Sequence, residues 1–192
     1  AKQCGEAGAI KIASPNVPNR ADVGGVAVNN KGKGQGRAAF RDTTTGAKRR
    51  AKEAYIAGGD VQGMARKGSR EVIIGFKRDS VFGPMVYFGL GGIHMHTFRD
   101  VSCRLAPLSL ENVHDMVREI RAFPVLAGSQ GQSAVKFTAL EDVLQIISQL
   151  AVDFPEIQEV ECNPVFADEH GAQVGDMRIL LALSRHLSAN SD

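Results

Sequence analysis

Apolar and polar positions along the chain alternate in two different rhythms. Ala9-Ile-Lys-Ile-Ala13 is a short apolar run carrying one lysine. It reads as a strand ended by Ser14-Pro15-Asn16-Val17-Pro18-Asn19, where two prolines remove ladder donors. Asp22-Val-Gly-Gly-Val-Ala-Val28 follows as a Gly-Gly turn entering a second strand, so this part predicts a hairpin with a loose loop between its arms. Residues 29–60 hold Gly, Lys, Arg and Thr with few large apolar side chains. They are expected to be weakly ordered, with Lys48-Arg-Arg-Ala-Lys52 inside a weak helical stretch.

Beyond Gln62 the patterns sharpen. Glu71-Val-Ile-Ile-Gly-Phe76 and Pro84-Met-Val-Tyr-Phe88 are β-type runs joined by a turn-like Arg78–Gly83, and they predict adjacent antiparallel strands. Ser109 precedes Val113, Met116, Val117 and Ile120, whose spacing makes one apolar helix stripe, with Pro124 just past its end. Thr138 and Glu141 read as a capping box ahead of the stripe Leu140, Val143, Leu144, Ile147, Leu150 and Ala151, closed by Phe154-Pro155. Strands are predicted at 158–166, 172–175 and 177–183, separated by the turn Asp168-Glu-His-Gly171, and a polar tail is expected to fray. Strands in runs with helices inserted imply an α+β fold with mainly antiparallel sheets and flanking helices.

Composition narrows the class. A chain of 192 residues that is 43% hydrophobic and 23% charged suits one globular domain of one or two subdomains, which disfavours disorder, collagen and coiled coil. A net charge of +2 is too small to argue for nucleic acid, and the basic run Arg37–Lys52 has almost no interleaved aromatics, so a solvated face is the better reading. The three cysteines form no CxxC pair, which fits a reducing cytoplasm. With no apolar run long enough to span a bilayer and no apolar leader, neither a membrane segment nor a signal peptide is expected. The start without Met reads as a processed chain or a fragment.

Candidate chemistry gathers at a few positions. A hairpin through 158–166 and 172–183 brings Asn163 and Asp176 side by side, and strand parity points Glu161 to the same face. Three oxygen donors suit Mg²⁺, which takes one or two carboxylates with waters and phosphates, although a turn-holding Asn and a solvated Asp have the same spacing. Lys11, between two isoleucines, is either an edge-strand lysine or a point charge aimed into a site. The amides of Gly24 and Gly25 can approach a phosphate, but a Gly-Gly pair is also a plain hairpin device, and Gly89-Leu-Gly-Gly92 carries the same ambiguity. His94 and His96 share a strand face but have no third ligand nearby, which argues against zinc. Cys103 and Cys162, next to apolar residues, read as buried small hydrophobes and not as nucleophiles.

Longer motifs then carry a resemblance. Glu71-Val-Ile-Ile-Gly-Phe-Lys-Arg-Asp-Ser-Val-Phe-Gly-Pro84, Phe88-Gly-Leu-Gly-Gly-Ile93, Arg99-Asp-Val101, Arg104-Leu-Ala-Pro-Leu108, Asp153-Phe-Pro-Glu-Ile157 and Cys162-Asn-Pro164 follow one another in order. From about Ala9 to Leu183 the chain resembles the ATP-grasp β subunit of ADP-forming acyl-CoA (acetyl-CoA) synthetases and, more distantly, the succinyl-CoA synthetase β subunit. The resemblance implies an ATP-grasp fold that clamps ATP or ADP with Mg²⁺ between two lobes. It implies interconversion of acyl-CoA, ADP and phosphate with acid, ATP and CoA through a phosphohistidine on a companion CoA-binding α subunit or fused CoA-binding domain. Residues 1–70 would belong to the first lobe with its glycine-rich phosphate loop, 71–183 would form the second lobe, and 184–192 the tail.

Residue by residue, the resemblance makes Lys11 a phosphate contact and sets Arg20 with Val23, Gly24, Gly25 and Val26 over the phosphates. It sets Gln62, Gly63 and Met64 beside the adenine, Glu71 near the nucleotide, and Asn163 and Asp176 on Mg²⁺, with Glu161 keeping a carboxylate where the family has Asp. The chain also departs from the family. Asn19 stands where a shuttle histidine is usual and cannot accept a phosphoryl group, so no catalytic residue is assigned. Gly63 and His96 replace glutamates, and family members have further residues upstream, so either the chain is a piece of a longer polypeptide or its first lobe is incomplete. These departures leave a second expectation, a non-catalytic nucleotide-sensing module of a larger protein such as a protein acetyltransferase fusion.

Overall fold

The computed structural model describes residues 7–17, 20–91, 100–128 and 131–182, and the chain divides between Ala65 and Arg66 into two packed units. In the first, the expected hairpin forms: β1 (Gly8–Ala13) runs antiparallel to β2 (Val26–Asn30). The other edge of β1 takes β3 (Gly58–Gly63), giving the order β2-β1-β3. The sequence pattern does not predict β3, because Gly58-Gly59-Asp60 has no strand preference of its own. It is a strand because its backbone pairs continuously with β1, from Gly8 opposite Gly63 to Ala13 opposite Gly58.

The stretch 29–60, expected to be weakly ordered, contains α1 (Gly32–Arg50), a helix of 19 residues. It has no broad apolar stripe, and small residues let it lie close to the sheet instead. A Cβ on Gly36 would stand 3.5 Å from Ile10 Cδ1. Thr43 and Ala47 are buried, and the Thr43 hydroxyl is satisfied by donating to the Ala39 carbonyl at 2.9 Å. Lys48, Arg49 and Arg50 end the helix, where cations complement its dipole. Gly59 faces α1, since a Cβ there would meet the Phe40 ring at 2.6 Å. Its register partner Ile12 shares that face, so Lys11, Asp60 and Gln62 point away from the helix.

In the second unit β4 (Arg70–Asp79), β5 (Gly83–Leu90), β6 (Val101–Leu105), β7 (Ile157–Ala167) and β8 (Ala172–Val174) form one sheet in the order β6-β5-β4-β7-β8. β9 (Met177–Leu181) pairs with the first part of β7, and every pairing is antiparallel. Helices α2 (Leu110–Glu119), α3 (Phe123–Leu126) and α4 (Phe137–Asp153) contribute to one core with the sheet. Val72, Ile74, Phe76, Val86 and Phe88 meet Met116, Val117, Leu140 and Leu144 there, all fully buried. Ser109 caps α2, its hydroxyl accepting from Asn112 N at 3.1 Å.

The capping box expected at α4 is not formed. Lys136 is the N-cap and makes no side-chain cap, and Thr138 lies inside the first turn. Glu141 instead turns to α2, pairing with Arg118 at 3.1 Å and with His114 Nδ1 at 3.4 Å. The start of α4 is fixed from outside, where Lys136 N donates to Asp168 O at 2.7 Å and Val135 N to Leu126 O at 2.9 Å. Among the described residues no helix is long and apolar enough to cross a membrane.

Two close approaches lock the sheet. Ser148, buried in α4, accepts from Leu108 N at 2.8 Å. Gly75 lies under the Tyr87 ring, so that a Cβ there would come 2.2 Å from Val160 O and 2.5 Å from Tyr87 Oη. Ser148→Ala, which orphans a buried N–H, is expected to lower unfolding stability by about 1–3 kcal/mol. Gly75→Ala forces Tyr87 or β7 to move and is expected to cost about 1–3 kcal/mol as overpacking. Urea denaturation of the variants checks both, and unchanged midpoints would refute these packing assignments.

Candidate functional site

Among the described residues each unit has one sheet face without its own helices, and those faces carry most of the residues singled out by the sequence. On the second, β7 changes phase partway. Val160 and Cys162 face the core, and so do Val165 and Ala167, which requires an extra residue between them. The register confirms it: β4 advances from Val72 to Ile74 while β7 passes from Val165 to Cys162. The bulge is Asn163-Pro164, where proline has no N–H for the ladder. Asn163 therefore turns to the open face with Glu161.

Asp176 arrives opposite. Asn163 N donates to Asp176 O at 3.1 Å, just after the Cys162–Met177 register pair, and Gly175 N donates to Pro164 O at 2.8 Å. Asp176 Oδ1 also accepts from Met177 N at 3.0 Å, which orients the carboxylate. Asn163 and Asp176 thus become neighbours through the backbone. Hard oxygen donors of this kind fit Mg²⁺, whose remaining positions go to water and phosphate oxygens. Among the described residues no cluster of three or more His, Cys, Asp or Glu is placed to hold a metal. Glu161 is engaged elsewhere: it stands opposite Arg178, whose Nη2 lies 3.6 Å from Glu161 Oε2 and also pairs with Glu159.

Tyr87 completes this patch beside Gly75 and Glu161. Burial, then the charges of Glu161 and Glu159, push its hydroxyl well above the ordinary phenol range, so it stays a neutral donor to Val160 O at 3.4 Å. Burial first and Glu161 second push the Cys162 thiol up to about 11. Cys103, expected to be buried, is exposed, because β6 turns Ser102 into the core, where its hydroxyl donates to Met116 O at 2.8 Å. Glu71 is exposed at the start of β4, opposite Phe166. Farther along, a cleft of about 280 Å³ is lined by Arg66, Asp168 and His170. The Arg66 guanidinium donates to both Asp168 oxygens, at 3.2 and 3.0 Å, and holds that carboxyl below its usual range.

On the first unit's open face Lys11 is only 8% exposed, with Val26 opposite it on one side and Asp60 on the other. Arg20 Nη1 lies 3.7 Å from Asp60 Oδ2. Gln62 stands opposite Ala9 and Gly63 opposite Gly8, while Met64 Sδ accepts from Asn29 N at 3.5 Å. The glycine turn after Val23 is closed on itself. Gly24 N donates to Ala21 O at 2.9 Å and Gly25 N to Arg20 O at 2.7 Å, so both amides are already used. Gly24 has φ +69°, a left-handed conformation that strains any side chain, and a Cβ there would meet the tip of Arg50 at 2.2 Å. Asn19, His94 and His96 lie outside the described residues.

The sequence reading missed Asp60, Tyr87 and Arg178. The predicted strand after Asp176 was the available signal for Arg178, whereas Asp60 sits in a segment with no strand pattern.

The ATP-grasp domain family matches residues 1–181 of the chain. The β subunit of ADP-forming acetate–CoA ligase I from Pyrococcus furiosus is 42% identical over 172 residues, covering 90% of this chain and 74% of that subunit. ADP-forming acetate–CoA ligase I from Archaeoglobus fulgidus is 40% identical over 172 residues, and the matched part is 90% of this chain but 25% of that longer protein. Among solved structures, acetyl-coenzyme A synthetase 1 of Ca. Korarchaeum cryptofilum in complex with coenzyme A and Ca-AMPCP superposes with a TM-score of 0.89 at 41% identity, over 94% of this chain and 78% of that one. The same synthetase with coenzyme A and Mg-AMPPCP, its phosphohistidine segment pointing towards the nucleotide binding site, gives a TM-score of 0.80 at 38% identity, over 94% of this chain and 78% of that one. The chain belongs to the ATP-grasp domain family, within which it matches the β subunit of ADP-forming acetyl-CoA synthetases.

Proposed function

We propose that this chain is the nucleotide-binding part of a cytoplasmic ADP-forming acyl-CoA synthetase, acting with a CoA-binding α subunit or fused CoA-binding domain. The overall reaction is acyl-CoA, ADP and phosphate to acid, ATP and CoA, with the phosphoryl group carried by a histidine of the partner. The observation that carries the reading is the cross-strand pair Asn163 and Asp176 at the β7 bulge. It offers oxygen donors of the kind that Mg-nucleotide sites use, in a chain similar to a synthetase solved with Mg-AMPPCP.

In this reading Asn163 and Asp176 hold Mg²⁺, with Glu161 close by on the same face. When bound there, the ion supplies neutralisation of phosphate charge. Lys11 and Arg20 supply positive charge to the phosphates, Gln62, Gly63 and Met64 border the base, and Glu71 lies near the nucleotide. The closed turn Val23-Gly24-Gly25 contributes its shape, because its two glycine amides are bonded within the loop. Phosphoryl transfer is catalysed mainly by positioning and by cations, so these residues bind and orient while the partner's histidine reacts. Residues 1–70 then serve as part of the first lobe and 71–183 as the second. The sensor reading rests on Asn19, an amide that accepts no phosphoryl group, and on Gly63 and His96 where the family has glutamates.

Calorimetric titration of the full-length protein with ADP and ATP, with and without Mg²⁺, tests the site. Asp176→Ala and Asn163→Ala are each expected to weaken the Mg²⁺-dependent part of binding by at least about tenfold. Binding by the folded protein that is indifferent to Mg²⁺ and to both substitutions would overturn the assignment. A thiol step is not expected. At pH 8 iodoacetamide should label exposed Cys103 and spare Cys162 until the protein is unfolded, and peptide mass mapping would reveal the contrary.

A further inference from the structure

The first unit's open face contains a negative charge that the nucleotide reading does not use. Asp60 lies on β3 directly opposite Lys11, and strand parity aims it away from α1, on the same side as Lys11 and Gln62. Its carboxylate is about half exposed and stands 3.7 Å from the guanidinium of Arg20. It therefore lies among the groups assigned to the nucleotide, two residues from Gln62 on one strand and next to both cations assigned to the phosphates. The strand itself does not require an aspartate, since Asp60 packs into no core and caps no helix. What it does is electrostatic. Two cations and one anion present a smaller positive potential than two cations alone, and a phosphate approaching Arg20 meets a carboxylate already paired with it.

We propose that Asp60 is an affinity-setting residue of this face, a built-in counter-ion that competes with nucleotide phosphate for Arg20 and offsets part of the field of Lys11. The inference rests on the nucleotide reading given above. The repulsion grows with ligand charge, so the penalty falls hardest on ATP, less on ADP and not on adenosine. Asp60 thereby sets both the strength of nucleotide binding and its dependence on phosphate number. Its effect is also salt-dependent, because the pair is partly exposed and ions screen it.

The test is calorimetric titration of the full-length protein and of Asp60→Asn, which keeps the shape and removes the charge, with adenosine, ADP and ATP at low and high salt. Asp60→Asn is expected to tighten ADP on the order of threefold, ATP by more and adenosine not at all, with the gain shrinking at high salt, in line with a partly exposed ion pair. Arg20→Ala should shrink the gain from Asp60→Asn, since the competed group is gone. Equal affinity in the parent and Asp60→Asn, or an equal gain for adenosine, would overturn the role of Asp60 while leaving nucleotide binding in place. Absence of ADP and ATP binding in both proteins would overturn the nucleotide reading and this inference with it. Asp60→Ser, smaller and equally uncharged, should reproduce the pattern if charge and not shape is responsible.

Discussion

Strand β7 has to satisfy two neighbours and two faces at once. It pairs with β4 along one edge and with β9 and then β8 along the other, while Val160, Cys162, Val165 and Ala167 must all reach the core under the helices. A regular strand cannot put residues of both parities on one face. One extra residue at Asn163-Pro164 resolves the conflict, and proline makes the break inexpensive because it has no ladder donor to lose. The same step turns Asn163 to the open face and ends the β9 pairing where Asp176 stands opposite it. The demand of the core for apolar contact thus fixes the place of the polar pair.

The rest of that face follows from the sheet order. With β4 between β5 and β7, Tyr87, Gly75 and Glu161 line up across three strands, and only glycine in the middle leaves room for the tyrosine ring. The ring and the neighbouring carboxylates form a partly dry patch, which keeps the phenol protonated and pushes the Cys162 thiol up on the far side. Arg178 answers the negative charge of Glu159 and Glu161. Asp176 then remains as the carboxylate beside Asn163, with its own hydrogen bond to Met177 N.

In the first unit charge is arranged differently. A buried lysine on a three-stranded sheet is tolerated only where polar groups compensate it, and the carboxylate of Asp60 stands opposite Lys11 in register. Closing the Gly24-Gly25 turn through its own amides fixes the loop but spends its donors, so on the described part of this face the positive charge comes from side chains. Side-chain charge can be tuned by a single opposing carboxylate, whereas backbone amides cannot.

The strong periodic segments were legible in the amino-acid order: β4, β5, α2 and α4 each carry enough apolar residues at one spacing to declare their type and buried face, whereas the phase change in β7 was not legible. Asn163 and Asp176 were legible too, because a short turn and strand parity leave little freedom between them. Helix α1 and strand β3 were not, since small and polar residues state no preference and take their form from packing on β1. The capping box failed because the helix starts at Phe137, which leaves Thr138 in its first turn, while Glu141 faces Arg118 and His114 on another helix. By itself the sequence determined what neighbouring residues decide, namely helix stripes, turns, strand parity and the types of donor available. Only the tertiary structure decided the pairings of Lys11 with Asp60, Glu161 with Arg178 and Gly75 with Tyr87, because strand register joins residues far apart in the chain, and those distances set both the charge and the room on each face.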